Sequence, residues 1–230
     1  MIKFKLMTDI EDIIISIIGS PLFSSLKDVV ENNAYHDHEK VYDHLLKTLD
    51  VARKSIDGNF IKNEKAKKLF LNFLEEPVGN LKNKDVLLLL ALLHDIGKIL
   101  KYKEDGKEES IVLKKEDGTT LCPGHEYWGS ALTSEVLKEV NLSQNVIDFI
   151  EKGIRLHADL GKDYFETKIG WSLEKIIEDI KGRAEGIYKE ILFNIYCDCF
   201  YAKPFQLTKA TIINLFNEPS LYTEREYYIP

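Results

Sequence analysis

Leu92-Leu93-His94-Asp95-Ile96-Gly97-Lys98 closes the most apolar stretch of the chain, Asp85 to Leu100. That stretch has little polar face, so as a helix it belongs near the centre of a fold, buried on most sides. A histidine and an aspartate side by side at its end then need partners, because an unpaired charge in a low-dielectric core is costly. They can satisfy each other as a buried hydrogen-bonded pair, or they can share a divalent metal ion. The dipeptide alone favours the pair.

Outward from this point, helical periodicity dominates and strand-like alternation is scarce. Thr8 or Asp9 is placed to cap a helix through Ile18, stopped by Gly19-Ser20-Pro21. A second segment runs from Phe23 to Val30. Glu39 to Ile56 carries Val41, Leu45, Leu46, Leu49 and Ala52 on one face, and Asn63 to Leu74 is amphipathic and ends before Pro77. Beyond the central helix, Lys101, Lys103 and Lys107 are offset by Glu104, Asp105, Glu108 and Glu109, which reads as a solvated loop. Ser110 to Leu121, with Asp117-Gly118, reads as one small exposed hairpin. Helices follow over His125 to Val140 and Ser143 to Leu156. Leu173 to Ala202 holds one or two more, with Gly182 and Gly186 as breakers, and Thr208 to Phe216 is a terminal helix before a Tyr-rich, unassigned tail. The expected fold class is all-α, a helical bundle with at most one small hairpin. One domain is expected over 1–230: N-terminal helices in 1–34, a core in 35–203, and a C-terminal helix and tail in 204–230.

Composition narrows the function. The 230 residues are 44% hydrophobic and 30% charged, ordinary values for a soluble globular domain, and the net charge is −7. An acidic chain is a poor match for an extended nucleic-acid duplex, which demands clustered Lys and Arg. A small phosphorylated ligand held at one basic spot is compatible. The apolar run Ile13 to Ile18 is too short for a secretory signal and follows Asp9, Glu11 and Asp12, while Val86 to Leu93 is too short to span a bilayer. A cytoplasmic protein without a membrane span is expected. Cys197 and Cys199 read as reduced, buried thiols rather than half of a zinc site, because no second pair completes one.

The six histidines shift the balance toward metal. His44 lies on the helix over Glu39 to Ile56, His125 opens a later helix, His157 closes the next, and Asp198 sits late in an apolar helix at Tyr196-Cys197-Asp198-Cys199-Phe200. With His94-Asp95, five helices each offer nitrogen or oxygen ligands from an apolar stripe. Helix bundles build metal sites from inward side chains on facing helices, and imidazole with carboxylate suits Mn, Fe, Co, Ni or Zn.

The order His, His-Asp, Asp resembles the HD-domain metal-dependent phosphohydrolase superfamily. Tyr35-His36-Asp37-His38-Glu39-Lys40-Val41-Tyr42-Asp43-His44 is similar to its first motif, and His94-Asp95-Ile96-Gly97-Lys98 to its second. Pro123-Gly124-His125-Glu126, followed by Gly129 and Ala131, resembles a helix entry in HD domains attached to bacterial tRNA nucleotidyltransferases. Ile154-Arg155-Leu156-His157 and Cys197-Asp198 resemble the remaining elements. Gly19-Ser20 is followed by Pro-Leu-Phe with no paired aspartates, so the polymerase half of those enzymes, and nucleotide addition, are not implied. The resemblance implies one or two divalent transition metals held by His44, His94, Asp95, His125, His157 and Asp198, with Asp95 bridging. It implies hydrolysis of a phosphomonoester or phosphodiester of a nucleotide-like small molecule by metal-activated hydroxide.

Asp95 and Lys98 are the expected catalytic groups. Lys98, one turn after His94, either meets a phosphate oxygen or is a solvated lysine at a helix C-terminus. Arg155, His36 and His38 are further substrate-binding candidates. Arg155 precedes His157 by two residues and so points to another part of the helix surface, while an exposed or structural role fits the two histidines equally well. Tyr127 and Trp128 could stack a base, with core packing favoured for at least one. Two other functions stay open: a metal-stabilised module binding a nucleotide or RNA end without turnover, and a di-iron oxygenase of the HD-related type. Oligomeric state is not fixed by the sequence.

Overall fold

The computed structural model of the protein describes residues 9–99, 101–104, 107–138, 140–184 and 186–223. Thr8, Leu100, Asp105-Gly106 and the tail from 224 lie outside them. Helix α1 spans Ile10–Gly19 with Asp9 as its cap, the Asp9 carboxylate accepting from the Glu11 amide. The second segment starts and ends two residues earlier than expected and is not one helix. It is one turn, α2 (Pro21–Ser24), and a 3-10 turn (Ser25–Asp28), after which the chain becomes strand β1 (Val30–Glu31). Its partner β2 (Glu39–Lys40) takes the two residues expected to start the next helix, so α3 covers Val41–Ser55. Helix α4 is Glu64–Leu74, capped by Asn63, and strands β3 (Pro77–Val78) and β4 (Leu81–Lys82) lead into α5 (Asn83–Leu93).

Helix α5 is the buried centre. Val86 to Leu93 are all inaccessible, and α3, α7 (Gln144–Leu156) and α10 (Tyr188–Asp198) pack around the helix. It stops at Leu93, earlier than expected. His94 caps it and a 3-10 turn, Ile96–Ile99, follows. The charged run beyond is paired backbone rather than loop: β5 (Lys101–Glu104) joins β6 (Lys107–Ser110). The expected hairpin then narrows to β7 (Leu113–Lys114) with β8 (Thr120–Leu121). Four two-stranded pairs occur among the described residues, where the sequence suggested at most one. All are small, and the fold is all-α.

Helix α6 (His125–Leu137) lies against α7 and against the 96–99 turn. After α7, a 3-10 turn (His157–Leu160) and α8 (Lys162–Glu166) fill the segment before α9 (Leu173–Arg183). Gly186, at φ +87°, accommodates the left-handed break before α10, whereas Gly182 stays inside α9. Helix α11 (Gln206–Phe216) and a 3-10 turn (Pro219–Tyr222) close the described chain. No described helix is long and apolar enough to cross a membrane.

One polar cluster interrupts the core far from the motif. Asn83, at the start of α5, donates from Nδ2 to Glu190 Oε1 at 3.1 Å. Asn83 Oδ1, Glu190 Oε2 and both amide atoms of Asn194 are buried without a hydrogen-bond partner among the described residues. Burial pushes the Glu190 carboxyl above its usual range. Below about pH 4 both folded and unfolded chains hold this proton and the group is silent. As pH rises toward the folded-state value, the unfolded chain releases its proton first, so stability falls. Glu190→Gln removes that slope. Paired thermal melts should show the variant gaining on the parent from pH 4 to pH 8; a difference independent of pH would contradict a neutral buried carboxyl.

Candidate metal centre

The ends of helices build the site. His94 is the C-cap of α5, His157 the C-cap of α7, His125 the first residue of α6 and Asp198 the last of α10, while His44 lies one turn into α3. Backbone carbonyls at or beside helix ends fix three of the imidazoles. The Nδ1 of His94 donates to Ala91 O at 3.0 Å, and that of His157 to Ile154 O at 2.5 Å. The Nδ1 of His125 donates to Cys122 O, just ahead of its helix, at 2.7 Å. A carbonyl can only accept, so each Nδ1 carries the hydrogen, and a neutral ring then presents a lone pair at Nε2.

Those Nε2 atoms converge on carboxylates. Asp95 Oδ1 lies 3.0 Å from His125 Nε2 and 3.9 Å from His157 Nε2. Its Oδ2 lies 3.5 Å from His94 Nε2 and 3.7 Å from His44 Nε2. Asp198 Oδ1 stands 2.9 Å from His44 Nε2 and 3.6 Å from His94 Nε2. Two triads result, His44/His94/Asp198 and Asp95/His125/His157, each compact enough to hold an ion, with Asp95 facing both. The residues present fit a metal on a direct observation: His44 Nε2 and His94 Nε2 are buried and make no hydrogen bond of good geometry. Buried polar atoms left this way are expensive, and a cation among them removes the cost.

The electrostatics agree. Burial opposes a charge on His44, but the Asp198 and Glu39 carboxylates override it and hold the imidazole up at about 10. The first triad therefore calls for a positive charge, a proton or an ion. Burial, then the charges of His125 and His94, press His157 down to about 4, leaving a neutral imidazole. Burial would raise Asp95, yet Lys98, His94 and His125 hold it well below the carboxylate range. Asp198 is held low in the same way, by His44 and His94 against burial. Among the described residues, no cysteine joins a group compact enough to hold an ion. All three cysteines are free and buried, and burial pushes Cys122 and Cys199 to about 12.

A cavity of about 1160 Å³ opens onto the cage. His36, at its wall, pairs through Nδ1 with Glu39 Oε2 at 2.9 Å and stands edge-on to His44. His38 is exposed at the rim, its Nδ1 3.2 Å from Asp37. Lys98 is not the solvated lysine that was one of its two expected states. It is buried, with Nζ 2.7 Å from Asp95 Oδ2 and 2.8 Å from Glu31 Oε2. Arg155, a substrate-binding candidate from the sequence, is exposed and does not line the cavity, because its position two residues before His157 puts it on another face. Tyr127 and Trp128 are exposed and pack on each other outside the cavity, so neither enters the core as expected for at least one of them. Sequence reading missed Glu31, Glu39 and an aromatic wall of Tyr35, Tyr201 and Phe205, with Tyr35 and Phe205 rings 4.5 Å apart.

Comparison with curated proteins finds no match. Comparison with family models finds one, the HD domain, over residues 41–185. The matched span takes in the His44, His94-Asp95, His125 and His157 positions, and Asp198 follows it on α10. With more than half its length matched, this chain belongs to the HD-domain family, whose members are generally metal-dependent hydrolases.

Proposed function

We propose that the protein is a phosphohydrolase that cleaves a phosphomonoester or phosphodiester of a nucleotide-like small molecule, with His44, His94, Asp95, His125, His157 and Asp198 as metal ligands. The position of Asp95 carries this reading. One of its oxygens faces His44 and His94, the other His125 and His157, so a single carboxylate would serve two ion positions. Divalent Mn, Fe, Co, Ni or Zn there would polarise phosphoryl oxygens and make water nucleophilic near neutral pH.

The chain's own groups supply the rest. Lys98 has three N–H donors, two engaged by Asp95 and Glu31, and the third is the candidate for a phosphoryl oxygen. His36 and His38 stand on the cavity wall and rim, within reach of a substrate that the aromatic wall would hold by its flat, apolar part. Asp37, Asp43, Asp50 and Asp163 line the same cavity. Their charge repels an extended polyanion and favours a small substrate whose phosphate is neutralised at the cage.

The test is a panel of nucleotides, cyclic phosphates and simple phosphate esters, offered to chelator-stripped protein with each metal restored in turn. Metal-dependent turnover supports the proposal. No turnover with any pair refutes it, and then tight nucleotide binding would point to a recognition module and oxygen consumption to an oxygenase.

A further inference from the structure

Three of the four caged imidazoles are fixed by carbonyls at or beside helix ends. His44 is not. It lies inside α3, where the carbonyls of the preceding turn are taken by the helix's own N–H groups. Its Nδ1 has no carbonyl of that kind beside it, and a neighbouring side chain can take that place. The nearest carboxylate oxygen the structure gives it is Glu39 Oε2, at 3.6 Å, just beyond hydrogen-bond length and an oxygen that also pairs with His36 Nδ1.

Glu39 reaches that place from a small, braced hairpin. Strand β2 pairs with β1 so that Glu39 stands directly across from Glu31. Like charges facing each other across a ladder are destabilising, and here each carboxylate has a cationic or imidazole partner, His36 remaining on Glu39 even without Lys47. Glu31 has Lys98 at 2.8 Å, and Glu39 has Lys47 at 2.5 Å and His36 at 2.9 Å. The connecting loop is tied down. Asn33 Oδ1 accepts from the amides of Tyr35 and His36, and Asn32 exchanges hydrogen bonds with Thr120 of β8. A mobile surface glutamate would not be held in this way.

We propose that Glu39 is the positioning residue for His44: its carboxylate accepts from Nδ1, turns Nε2 toward Asp198 and His94, and raises the affinity of the first ion position. The inference rests on the proposed metal cage. A carboxylate behind a ligating imidazole fixes its tautomer and raises its basicity, and losing one costs about 10- to 100-fold in metal affinity. His36, Glu39 and His44 are also close enough to hold an ion of their own. That alternative would require Nδ1 of His44 to bind metal instead of donating.

The experiment titrates chelator-stripped parent, Glu39→Gln, Lys47→Ala and His44→Ala with Co(II), reading affinity, stoichiometry and the visible absorption bands. Melts of the metal-free proteins monitor folding separately. Glu39→Gln should bind the first ion about 10- to 100-fold more weakly with altered bands and unchanged stoichiometry, while Lys47→Ala binds as the parent does. Parent-like affinity in Glu39→Gln would overturn the proposal. So would an equal loss in Lys47→Ala, or loss of one whole ion from Glu39→Gln with the other affinities intact. His44→Ala separates the two readings: if it keeps the first ion, the cage is wrong, whereas a loss there beside normal binding in Glu39→Gln leaves the cage and removes only the positioning role.

Discussion

Asp95→Ala should lose both ions and lower kcat/KM by more than about 1000-fold, since it removes the shared carboxylate along with the electrostatic stabilisation it anchors. The same change should destabilise the metal-free protein. Asp95 is buried beside the buried ammonium of Lys98, and deleting one partner of such a pair typically costs about 3–5 kcal/mol. Glu31 still faces Lys98, so the low end is expected. Metal content by elemental analysis, melting curves with chelator and single-substrate kinetics check the three parts. Asp95→Asn keeps the shape and loses the charge, so it should fold better than Asp95→Ala while remaining inactive. Full metal occupancy in either variant would dismantle the cage.

Gly97→Ala should be as damaging without replacing a ligand. Gly97 lies where the 96–99 turn presses on the start of α6. A Cβ there would overlap the carbonyl oxygen of His125 and stand 2.5 Å from the Gly129 amide nitrogen and 2.9 Å from its Cα. These are backbone atoms, so no rotamer change relieves the contact and α6 itself must move. The expected cost is at least about 3 kcal/mol, at the upper end of single-residue effects. Because His125 rides on α6, its Nε2 should leave Asp95 and the second ion should be lost before the first. Gly182→Ala is the contrast. A Cβ there meets nothing within 4 Å inside α9, and the protein should gain about 0.5–1 kcal/mol. Chemical denaturation of both variants, with metal counting for the first, decides it; a Gly97→Ala protein as stable as its parent would mean that the turn and α6 are not in close contact.

That these six side chains would come together was legible in the sequence because they are scarce residue types at the ends of strongly apolar helices. His94-Asp95 on α5 and Asp198 on α10 stand out against hydrophobic runs. What surrounds the cage was not legible. Strands β1 and β2 are two residues each, too short for a period-two pattern. In sequence, Glu31 and Glu39 resemble any surface glutamate. Lys98 looked free to be solvated because the residue that buries its charge, Glu31, is 67 positions away. The 101–110 run looked like loop because its charges conceal paired backbone. Arg155 was kept as a substrate-binding candidate although its spacing from His157 already placed it on another face; it is exposed there and outside the cavity.

The hydrogen bonds from His94, His125 and His157 to nearby carbonyls have a kinetic consequence. Rings already anchored through Nδ1 need not search rotamers or exchange tautomers when an ion arrives, so their ordering cost is met during folding. Loading should then be a second-order process, limited by passage through the open cavity, with no slow unimolecular phase. Replacing one metal by another should proceed in the native protein, without a detour through a partly unfolded state.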